Sequence, residues 1–365
     1  MVSKACVVGA YQRKLEEMAR ISGVELTVFV PPSWQEGGRV VRLERAHTAG
    51  YRLEVLPIAL NGRFHFHFYP TLGAALARLR PDICHLDEEP YNLATYLGLR
   101  QARAVGARSL FFTWQNLARR YPPPFRQLER YVLRHADYAL VGNREAEAVL
   151  RGKGYRGPAA LIPQFGVDPE IFVPAAGGPP AGGAFVVGYA GRLEPAKDPL
   201  LLLDALAGLR GEWRLHLAGA GPLRERLQER AAALGVAGRV SLEAQIPSLE
   251  MPRFYQQLHA LVLPSRTQRN WKEQFGRVLI EAMACGVPVV GSSCGEIPHV
   301  IGGAGLVFPE GDAEALRAAL QRLHDDPRLR SALGARGRQR VLEHYTQARI
   351  ARDTVQVYRA MMAAG

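Results

Sequence analysis

The chain has 365 residues, 48% of them hydrophobic, and its 46 Lys and Arg against 34 Asp and Glu give a formal net charge of +12. This length is more than one ordinary hydrophobic core needs and suits two domains. No apolar run in the sequence is long enough to cross a bilayer. The four cysteines show neither Cys-x-x-Cys nor Cys/His spacing, which argues against a metal site and favours buried free thiols.

The N-terminal stretch MVSKACVVGAYQRK has no long apolar segment followed by a cleavage site, so a cytoplasmic location is expected. The excess of basic residues suggests anionic partners such as phosphorylated substrates, an anionic membrane face or nucleic acid. An Arg-rich proteome would explain the same charge, and the distribution of charge along the chain does not separate the two explanations.

The first half of the chain alternates short apolar runs with helical patterns, which is typical of parallel sheets with crossover helices. Strands are predicted at residues 5–9, 25–30, 52–58, 82–87, 109–114, 138–143 and 159–163. Helices are predicted between most of them, for example at 92–104 and 125–135.

A segment rich in Pro and Gly, VPAAGGPPAGGA at residues 173–184, has the composition of a linker, and the strand pattern restarts after it. Strands are predicted there at residues 185–191, 213–219, 239–244, 260–265, 288–293 and 305–308. We therefore predict an α/β protein with two Rossmann-like, doubly wound domains, 1–172 and 185–345, facing across a cleft. A last helical segment, 346–365, is expected to return to the first domain. Ligands of such sheets bind beyond the carboxyl ends of the strands.

Two glutamates with seven residues between them, Glu273 and Glu281, flank the glycine at which a helix is predicted to start. Gly276 lets a ligand approach the free N–H groups of the first turn, which suit a diphosphate. The carboxylates could then accept hydrogen bonds from sugar hydroxyls on one side and ribose hydroxyls on the other. A solvent-facing position for Glu281 is the alternative, but its helix has little polar face, and an unpartnered charge there would be costly.

Two further loops follow predicted strands of the second half. GRLEPAKDP, residues 191–199, carries Arg192 and Lys197, which could neutralise a diphosphate and stabilise it as a leaving group. Taken alone, this loop is better explained by two surface cations of an Arg-rich protein. LAGAGPL, residues 217–223, lacks the third glycine of a dinucleotide fingerprint, so a plain tight turn is the simpler interpretation.

Taken together and in this order, these motifs resemble the retaining glycosyltransferases of family four, which have the GT-B fold. The matching stretches are GRLEPAKD, GAGP, LEAQIP, LPS, EQFGRVLIE with the following AMACGVPVV, and IPQFGVDPEIF. They cover the second domain and the last quarter of the first. One departure is Asp198, which stands where the family usually has glycine after the lysine.

The resemblance implies roles for the matched residues. Three would be catalytic, contacting the transferred sugar or the departing diphosphate: Glu273, Arg192 and Lys197. Six would bind the donor through the ribose, phosphate, sugar or base: Glu281, Phe275, Gly276, Gly191, Ile246 and Gly221. The family needs no catalytic metal, so no cofactor is expected beyond the nucleotide diphosphate sugar as co-substrate.

The first domain offers acceptor-side candidates. Relatives have a double-glycine loop after the first strand, whereas this chain has only Gly9, which leaves a donor contact there in doubt. Glu88 and Glu89, in DEEPYN after a predicted strand, could bind acceptor hydroxyls or equally favour a helix N-terminus. His65 lies in NGRFHFHFYP, whose alternation predicts a half-buried strand, and Asn143 follows another strand.

The resemblance implies a hexosyltransferase that moves a sugar from a nucleotide diphosphate sugar to a hydroxyl of a glycan, a lipid-linked or a small acceptor. The alternatives are a GT-B sugar phosphorylase, a sugar-nucleotide epimerase, or a basic binding protein with a degenerate GT-B core. Residues 119–136 could contact an anionic membrane peripherally at its inner face, or form an ordinary helix with a solvated Arg face. No nucleic-acid partner is expected.

Overall fold

The computed structural model describes residues 1–177 and 183–363. The chain divides into two compact units: unit 1 is Met1–Gly166 together with the chain from Gln347 onward, and unit 2 is Val167–Thr346. Residues 167–172, which the sequence assigned to the first domain, therefore lie in unit 2. Residues 178–182 of the predicted linker lie outside the described residues.

Unit 1 is built on parallel strands with helices between them. Its strands are β1 (Thr27–Val30), β2 (Ser33–Glu36), β3 (Arg39–Arg42), β4 (Arg52–Val55), β5 (Ile83–Leu86), β6 (Arg108–Thr113), β7 (Tyr138–Val141) and β8 (Ala159–Leu161). Its helices are α1 (Arg13–Ala19), α2 (Leu72–Leu79), α3 (Leu93–Ala104), α4 (Phe125–His135) and α5 (Arg144–Gly152). Strands β5-β6-β7-β8 pair in that order, β1 pairs with β4, and β2 and β3 form an antiparallel hairpin.

The strand predicted at residues 5–9 is wrong, because this segment forms short 3-10 helices, Ala5–Val7 and Gly9–Gln12. Val2 bridges to Phe29 of β1 and Leu86 of β5, so the chain is already near the carboxyl ends of both strands. Beyond this point it has no neighbouring strand left to pair with, and its backbone N–H groups turn to local carbonyl groups instead.

The half-buried strand predicted over residues 61–70 is also wrong, because these residues form turns. Leu60 and Gly62 have φ angles of 54° and 85°, which break an extended chain. The carbonyl of Arg63 then accepts hydrogen bonds from the N–H groups of Phe66 and His67.

Unit 2 holds a six-stranded parallel sheet in the order β11-β10-β9-β12-β13-β14. Its strands are β9 (Phe185–Ala190), β10 (Trp213–Ala218), β11 (Val240–Glu243), β12 (Ala260–Leu263), β13 (Val289–Ser292) and β14 (Leu306–Phe308). Its helices are α6 (Pro199–Ala207), α7 (Arg224–Ala233), α8 (Met251–Gln256), α9 (Arg277–Ala284), α10 (Ile297–Ile301), α11 (Ala313–Asp325) and α12 (Pro327–His344). The strand order reverses between β9 and β12, so the loops after these two strands lie side by side at a topological switch point.

The last helix, α13 (Gln347–Ala363), packs on unit 1. On one side Ala351 and Val355 join a core cluster with Leu15 and Met18 of α1. On the other side, Ile350, Val357 and Met361 join a cluster with strands β6 and β7. The predicted α/β class with two Rossmann-like domains is confirmed. Among the described residues, no helix combines the length and the apolar character that a membrane crossing requires.

Candidate active site

The loops after β9 and β12 are held together in unit 2. The Arg266 N–H donates to the carbonyl of Ala196 (2.8 Å), which joins the two backbones. The Lys197 ammonium lies 2.5 Å from Oε2 of Glu273, and the Ser265 hydroxyl donates to the same oxygen (2.8 Å). Both side chains of the pair are largely buried, with 15% and 8% of their surface exposed. The structure thus brings together two predicted catalytic residues that are 76 positions apart in the chain.

Several residues that the sequence reasoning missed hold this pair in place. The Lys197 ammonium lies 4.8 Å from the centroid of the Trp271 ring, a distance typical of a cation–π contact. The backbone carbonyl of Glu273 accepts from the N–H of Glu296 (3.2 Å). A Cβ at Gly295 would approach this carbonyl oxygen to 2.0 Å, so only glycine fits there. An aromatic residue within a polar loop, as in SRTQRNWKEQ, was the signal available for Trp271.

The third predicted catalytic residue, Arg192, has a different ion-pair partner, Glu194. Its side chain is 63% exposed and forms an ion pair with Glu194 (3.1 Å). Its neighbour Gly191 directly follows strand β9, and the loop after β10 packs against it. A Cβ at Gly219 would lie 1.9 Å from the carbonyl oxygen of Gly191, and one at Gly221 would lie 2.4 Å from that of Leu193. Besides making a turn, these two glycines therefore allow the two loops to pack backbone against backbone.

Helix α9 begins directly after Gly276, whose φ of 81° puts it in the left-handed region. No side chain caps this end of the helix. A Cβ at Gly276 would come within 2.8 Å of Leu263, so the glycine is required by conformation and by space. Phe275 is buried and packs edge-on against Tyr345, at 5.8 Å between ring centroids. Ile246 is half-buried in the segment after β11.

Glu281 lies on the buried side of α9, with 5% of its surface exposed, so the solvent-facing alternative is wrong. The Tyr255 hydroxyl donates to Oε2 (2.7 Å), and Arg277, one turn earlier, places Nε 2.7 Å from Oε1. Burial, and then the Glu281 charge, raise the pKa of Tyr255 well above its ordinary value. The carboxylate is therefore held in a fixed orientation, and each of its oxygens retains further acceptor capacity.

In unit 1, Glu88 follows β5 and is 3% exposed. It forms an ion pair with Lys4, lies 3.4 Å from Nε2 of His67, and accepts from Nδ2 of Asn92 (3.3 Å). Burial alone would raise the pKa of Glu88, but the Lys4 charge and His67 outweigh it and lower the pKa to about 2. Glu88 is therefore ionised at neutral pH.

Glu89 lies beside it in a different environment. It accepts from the Thr113 hydroxyl (2.5 Å) and from the N–H of Trp114 (2.8 Å). Burial raises the pKa of Glu89 to about 7, and the two hydrogen bonds offset only part of that effect. Helix α3 starts at Leu93 with Asn92 as its N-cap and no side-chain cap, so the two carboxylates serve this network rather than the helix N-terminus.

A cavity of about 440 Å³ in unit 1 opens beside these carboxylates. Its lining includes charged, aromatic and amide side chains: Lys4, Trp34, Glu36, Phe64, Asp87, Glu88, Glu89, Trp114 and Gln164. Of the five predicted acceptor-side residues, Glu88 and Glu89 line this pocket and the other three do not. The sequence reasoning missed Lys4, Trp34 and Gln164, because they come from segments far apart in the chain.

The other three candidates have structural contacts of their own. The N–H of Gly9 donates to Oε2 of Glu44 (2.6 Å), and a Cβ there would lie 2.7 Å from Ala46. His65 sits in an aromatic cluster whose other members are Phe64, Tyr91, Tyr121 and Phe125. Asn143 is buried and caps helix α5 by accepting from the N–H of Ala146 (2.8 Å).

Comparison with known proteins gives family matches for both halves. A family model described as Glycosyl transferases group 1 matches residues 177–340, and one described as Glycosyl transferase 4-like domain matches residues 8–164. The structure is similar to a sucrose-phosphate synthase from Thermosynechococcus elongatus, with 25% identity, a TM-score of 0.74, and coverage of 97% of this chain and 93% of that one. It also shares its fold with Anabaena Alr3699/HepE in complex with UDP, with 17% identity, a TM-score of 0.75, and coverage of 98% of each chain.

Two relatives match most of the chain. The GDP-mannose-dependent alpha-(1-6)-phosphatidylinositol monomannoside mannosyltransferase of Mycolicibacterium smegmatis is 31% identical over 88% of this chain and 86% of its own length. The 2-deoxystreptamine N-acetyl-D-glucosaminyltransferase of Streptomyces fradiae is 30% identical over 85% and 82%. A D-inositol 3-phosphate glycosyltransferase of Streptomyces bingchenggensis is 31% identical over 64% of this chain, which spans about half (55%) of that relative. The chain therefore belongs to the family-four glycosyltransferases, enzymes of GT-B fold that transfer a sugar from a nucleotide sugar to an acceptor.

Proposed function

We propose that this enzyme is a retaining hexosyltransferase that moves a sugar from a nucleoside diphosphate sugar to a hydroxyl of an acceptor containing a polyol ring. The observation that carries the donor side is the buried Lys197–Glu273 pair beside the N-terminus of α9, at the switch point of the unit 2 sheet. The acceptor class is supported by the relatives, whose names specify phosphatidylinositol monomannoside, D-inositol 3-phosphate and 2-deoxystreptamine.

On the donor side, the diphosphate would bind at the first turn of α9, where N–H groups and the helix dipole favour an anion. Lys197 and Arg192 would balance its charge, which grows as the bond to the sugar breaks. Glu273 would accept from hydroxyls of the transferred sugar, and Glu281 from the ribose. Catalysis would rest on positioning and electrostatics, with the departing diphosphate taking the acceptor proton from the same face of the sugar.

We propose that these cations, rather than a divalent metal ion, balance the diphosphate during the reaction. Turnover should then survive dialysis against EDTA with less than about a twofold change, because Lys197 and Arg192 stay in place. A loss of turnover that Mg²⁺ or Mn²⁺ restores would contradict this assignment.

The proposal is tested by product analysis together with binding. A panel of UDP- and GDP-sugars is titrated by calorimetry, and proton NMR of the product reports the anomeric configuration, which should match that of the donor. Glu281→Gln should weaken nucleoside diphosphate binding about tenfold or more, as expected for lost charge-assisted hydrogen bonds. Tyr255→Phe, which removes a partner of Glu281 but no ligand contact, should change the affinity only a few-fold.

The rival activities give different products. A phosphorylase would release sugar 1-phosphate when phosphate is added, and an epimerase would convert the nucleotide sugar without an acceptor. An inverted product anomer would contradict the retaining mechanism. Absence of nucleotide binding would favour a degenerate binding protein.

We also propose a peripheral contact with an anionic membrane on the cytoplasmic side. Helix α4 buries Val132 and Leu133 in unit 1, while Arg126, Arg130 and Arg134 are exposed. Since the apolar face is already covered, attraction would come from charge alone and be screened by salt. Flotation with phosphatidylglycerol vesicles should show binding at low salt that a triple alanine variant of these arginines loses. Binding that is insensitive to both salt and substitution would contradict it.

A further inference from the structure

The unit 1 pocket is unusually acidic for a site in a basic protein. Its lining includes four carboxylates, Glu36, Asp87, Glu88 and Glu89. Three of these, Asp87 to Glu89, are at least nine-tenths buried. Among the described residues that line the pocket, Lys4 is the one Lys or Arg side chain. Even without Glu89, whose pKa is raised to about 7, the carboxylates Glu36, Asp87 and Glu88 outnumber Lys4, so the charge of the lining is negative although the chain as a whole carries +12.

The Lys4 ammonium is already neutralised and covered. It forms an ion pair with Glu88, and its side chain is 13% exposed. Its Nζ lies 5.3 Å from the centroid of the Trp34 ring and 4.8 Å from that of Phe64, so two aromatic faces lie next to it. Because Glu88 neutralises the Lys4 charge, an anionic ligand would gain little net attraction from Lys4 unless it broke this pair, which would leave Glu88 as a buried charge without its cation.

Asp87, the carboxylate before this pair in the chain, accepts hydrogen bonds from neutral donors. Asp87 accepts from the Ser3 hydroxyl (2.7 Å) and from Nε2 of Gln164 (2.9 Å). Neutral donors of this kind hold the carboxylate in one orientation without neutralising its negative charge. Carboxylate oxygens accept well from hydroxyl or ammonium groups, whereas a phosphate near them would be repelled in a poorly solvated site.

The walls of the pocket suit a small ring. Trp34, Phe64 and Trp114 supply aromatic surface, and Phe64 is 43% exposed. A volume of about 440 Å³ falls in the range of small-molecule sites that combine apolar walls with a few convergent polar groups. The β2–β3 hairpin closes one side and contributes Trp34 and Glu36.

We infer that this pocket holds the acceptor as a cyclic polyol that is uncharged or positively charged, and that it selects against a ring bearing phosphate or carboxylate. The inference rests on the proposed function, since it specifies the acceptor of that reaction. It distinguishes this chain from its D-inositol 3-phosphate glycosyltransferase relatives, because selection here would favour the ring without the phosphate.

The experiment measures binding of three probes to the full chain by calorimetry, with saturating nucleoside diphosphate. The probes are myo-inositol, 2-deoxystreptamine and D-inositol 3-phosphate. The two rings without phosphate should bind, and D-inositol 3-phosphate should bind at least tenfold more weakly than myo-inositol. Equal or tighter binding of the phosphorylated ring, or no saturable binding of either ring without phosphate, overturns the inference.

A charge change at the rim of the pocket tests the electrostatic cause. Glu36 is exposed on the hairpin, so Glu36→Lys should fold normally and reduce the discrimination against D-inositol 3-phosphate by about fivefold or more. Glu25→Lys makes the same charge change at an exposed position that does not line this pocket, and should leave the discrimination unchanged. Equal effects of the two variants would overturn the assignment to this pocket. Nucleotide binding is measured in the same samples. If nucleotide binding is absent, the proposed function is contradicted. If nucleotide binding is retained while the acceptor results differ from those expected, only the inference about the acceptor is contradicted.

Discussion

At the scale of single residues, the two cations predicted for the donor diphosphate have different environments. Lys197 is largely buried against Glu273 and Trp271, whereas Arg192 is exposed and forms an ion pair with Glu194. A buried pair contributes to folding through the cost of leaving one charge without its partner, whereas an exposed pair contributes little. Substitution of Lys197 should therefore affect both turnover and stability, whereas substitution of Arg192 should affect turnover alone.

Lys197→Met removes the charge at nearly constant side-chain volume. We expect turnover to fall about a hundredfold or more, and the free energy of unfolding to fall by roughly 3 kcal/mol, because Glu273 stays buried after the Lys197 charge has been removed. Thermal unfolding and steady-state kinetics measure both effects. Arg192→Ala is the matched comparison: it should lower turnover while changing stability by less than about 0.5 kcal/mol. Wild-type turnover in both variants would mean that this loop has no part in catalysis.

Glu89 gives a pH dependence of stability with a defined sign. Burial raises its folded pKa to about 7 from an ordinary value of 4.5, so between these values the folded state binds more protons than the unfolded state. The contribution of Glu89 to the free energy of unfolding therefore falls as pH rises from about 4.5 to about 7.

Glu89→Gln keeps the shape and stays neutral, and the Thr113 hydroxyl can accept as well as donate. The variant should be more stable than the wild type above pH 7, by up to roughly 3 kcal/mol, with the difference vanishing towards pH 4.5. Denaturant unfolding at several pH values measures this. Glu88→Gln should behave oppositely, because the folded pKa of Glu88 is lowered to about 2 and its ionised form contributes stability above about pH 4.5. A stability difference for Glu89→Gln that is independent of pH would contradict the assignment.

At the scale of elements, the loops after β9 and β10 fit together through glycine. Leu193 donates its N–H to the carbonyl of Ala220 (2.9 Å), and Gly219 lies against the carbonyl of Gly191 with no space for a side chain. The loop that carries Arg192 and Lys197 therefore takes its shape from its neighbour in the sheet.

Gly219→Ala should displace this loop, because its Cβ would lie 1.9 Å from a backbone oxygen that cannot rotate away. We expect a loss of about 1–3 kcal/mol of stability, together with a fall in turnover of tenfold or more. Gly238→Ala is the matched control, since a Cβ there meets nothing within 4 Å and its φ is not positive. Similar stability and turnover for the two variants would show that the close approach is unimportant.

At the scale of the whole molecule, the two ends of the chain build one unit. Ile350 of α13 is buried with Leu110, Phe112 and Leu140 of strands β6 and β7, more than two hundred positions earlier in the sequence. Unit 2 is one continuous segment, Val167–Thr346, inserted between the two parts of unit 1.

Ile350→Ala should destabilise unit 1 selectively by about 2–5 kcal/mol, because it removes buried methyl groups and leaves a cavity. Hydrogen exchange followed by mass spectrometry should show faster exchange in β6 and β7 and unchanged protection in β9 and β12. Arg352→Ala, at an exposed position of the same helix, is the control and should leave both units unchanged. Equal acceleration in both units would mean that they unfold as one.

The sequence by itself determined the elements that depend on local pattern. Helix α4 has the predicted bounds, 125–135, and the strand predicted at 138–143 lies at Tyr138–Val141. The β2–β3 hairpin was missed although its signal was present, since Gly37 and Gly38 form a two-residue turn in which both have positive φ. The family and the donor motifs could also be read from the chain, because they are short stretches with fixed spacing.

Only the tertiary structure decided which distant residues meet. The segment at 5–9 has the composition of a strand, yet it lies beyond the ends of its neighbours and cannot pair, which no local propensity encodes. Lys4 forms an ion pair with Glu88, and Lys197 forms one with Glu273, because the carboxyl ends of parallel strands lie at one edge of each sheet. The acidic character of the unit 1 pocket follows from that packing. The chain as a whole is basic, but the fold places Asp87, Glu88 and Glu89 together in the lining of one pocket.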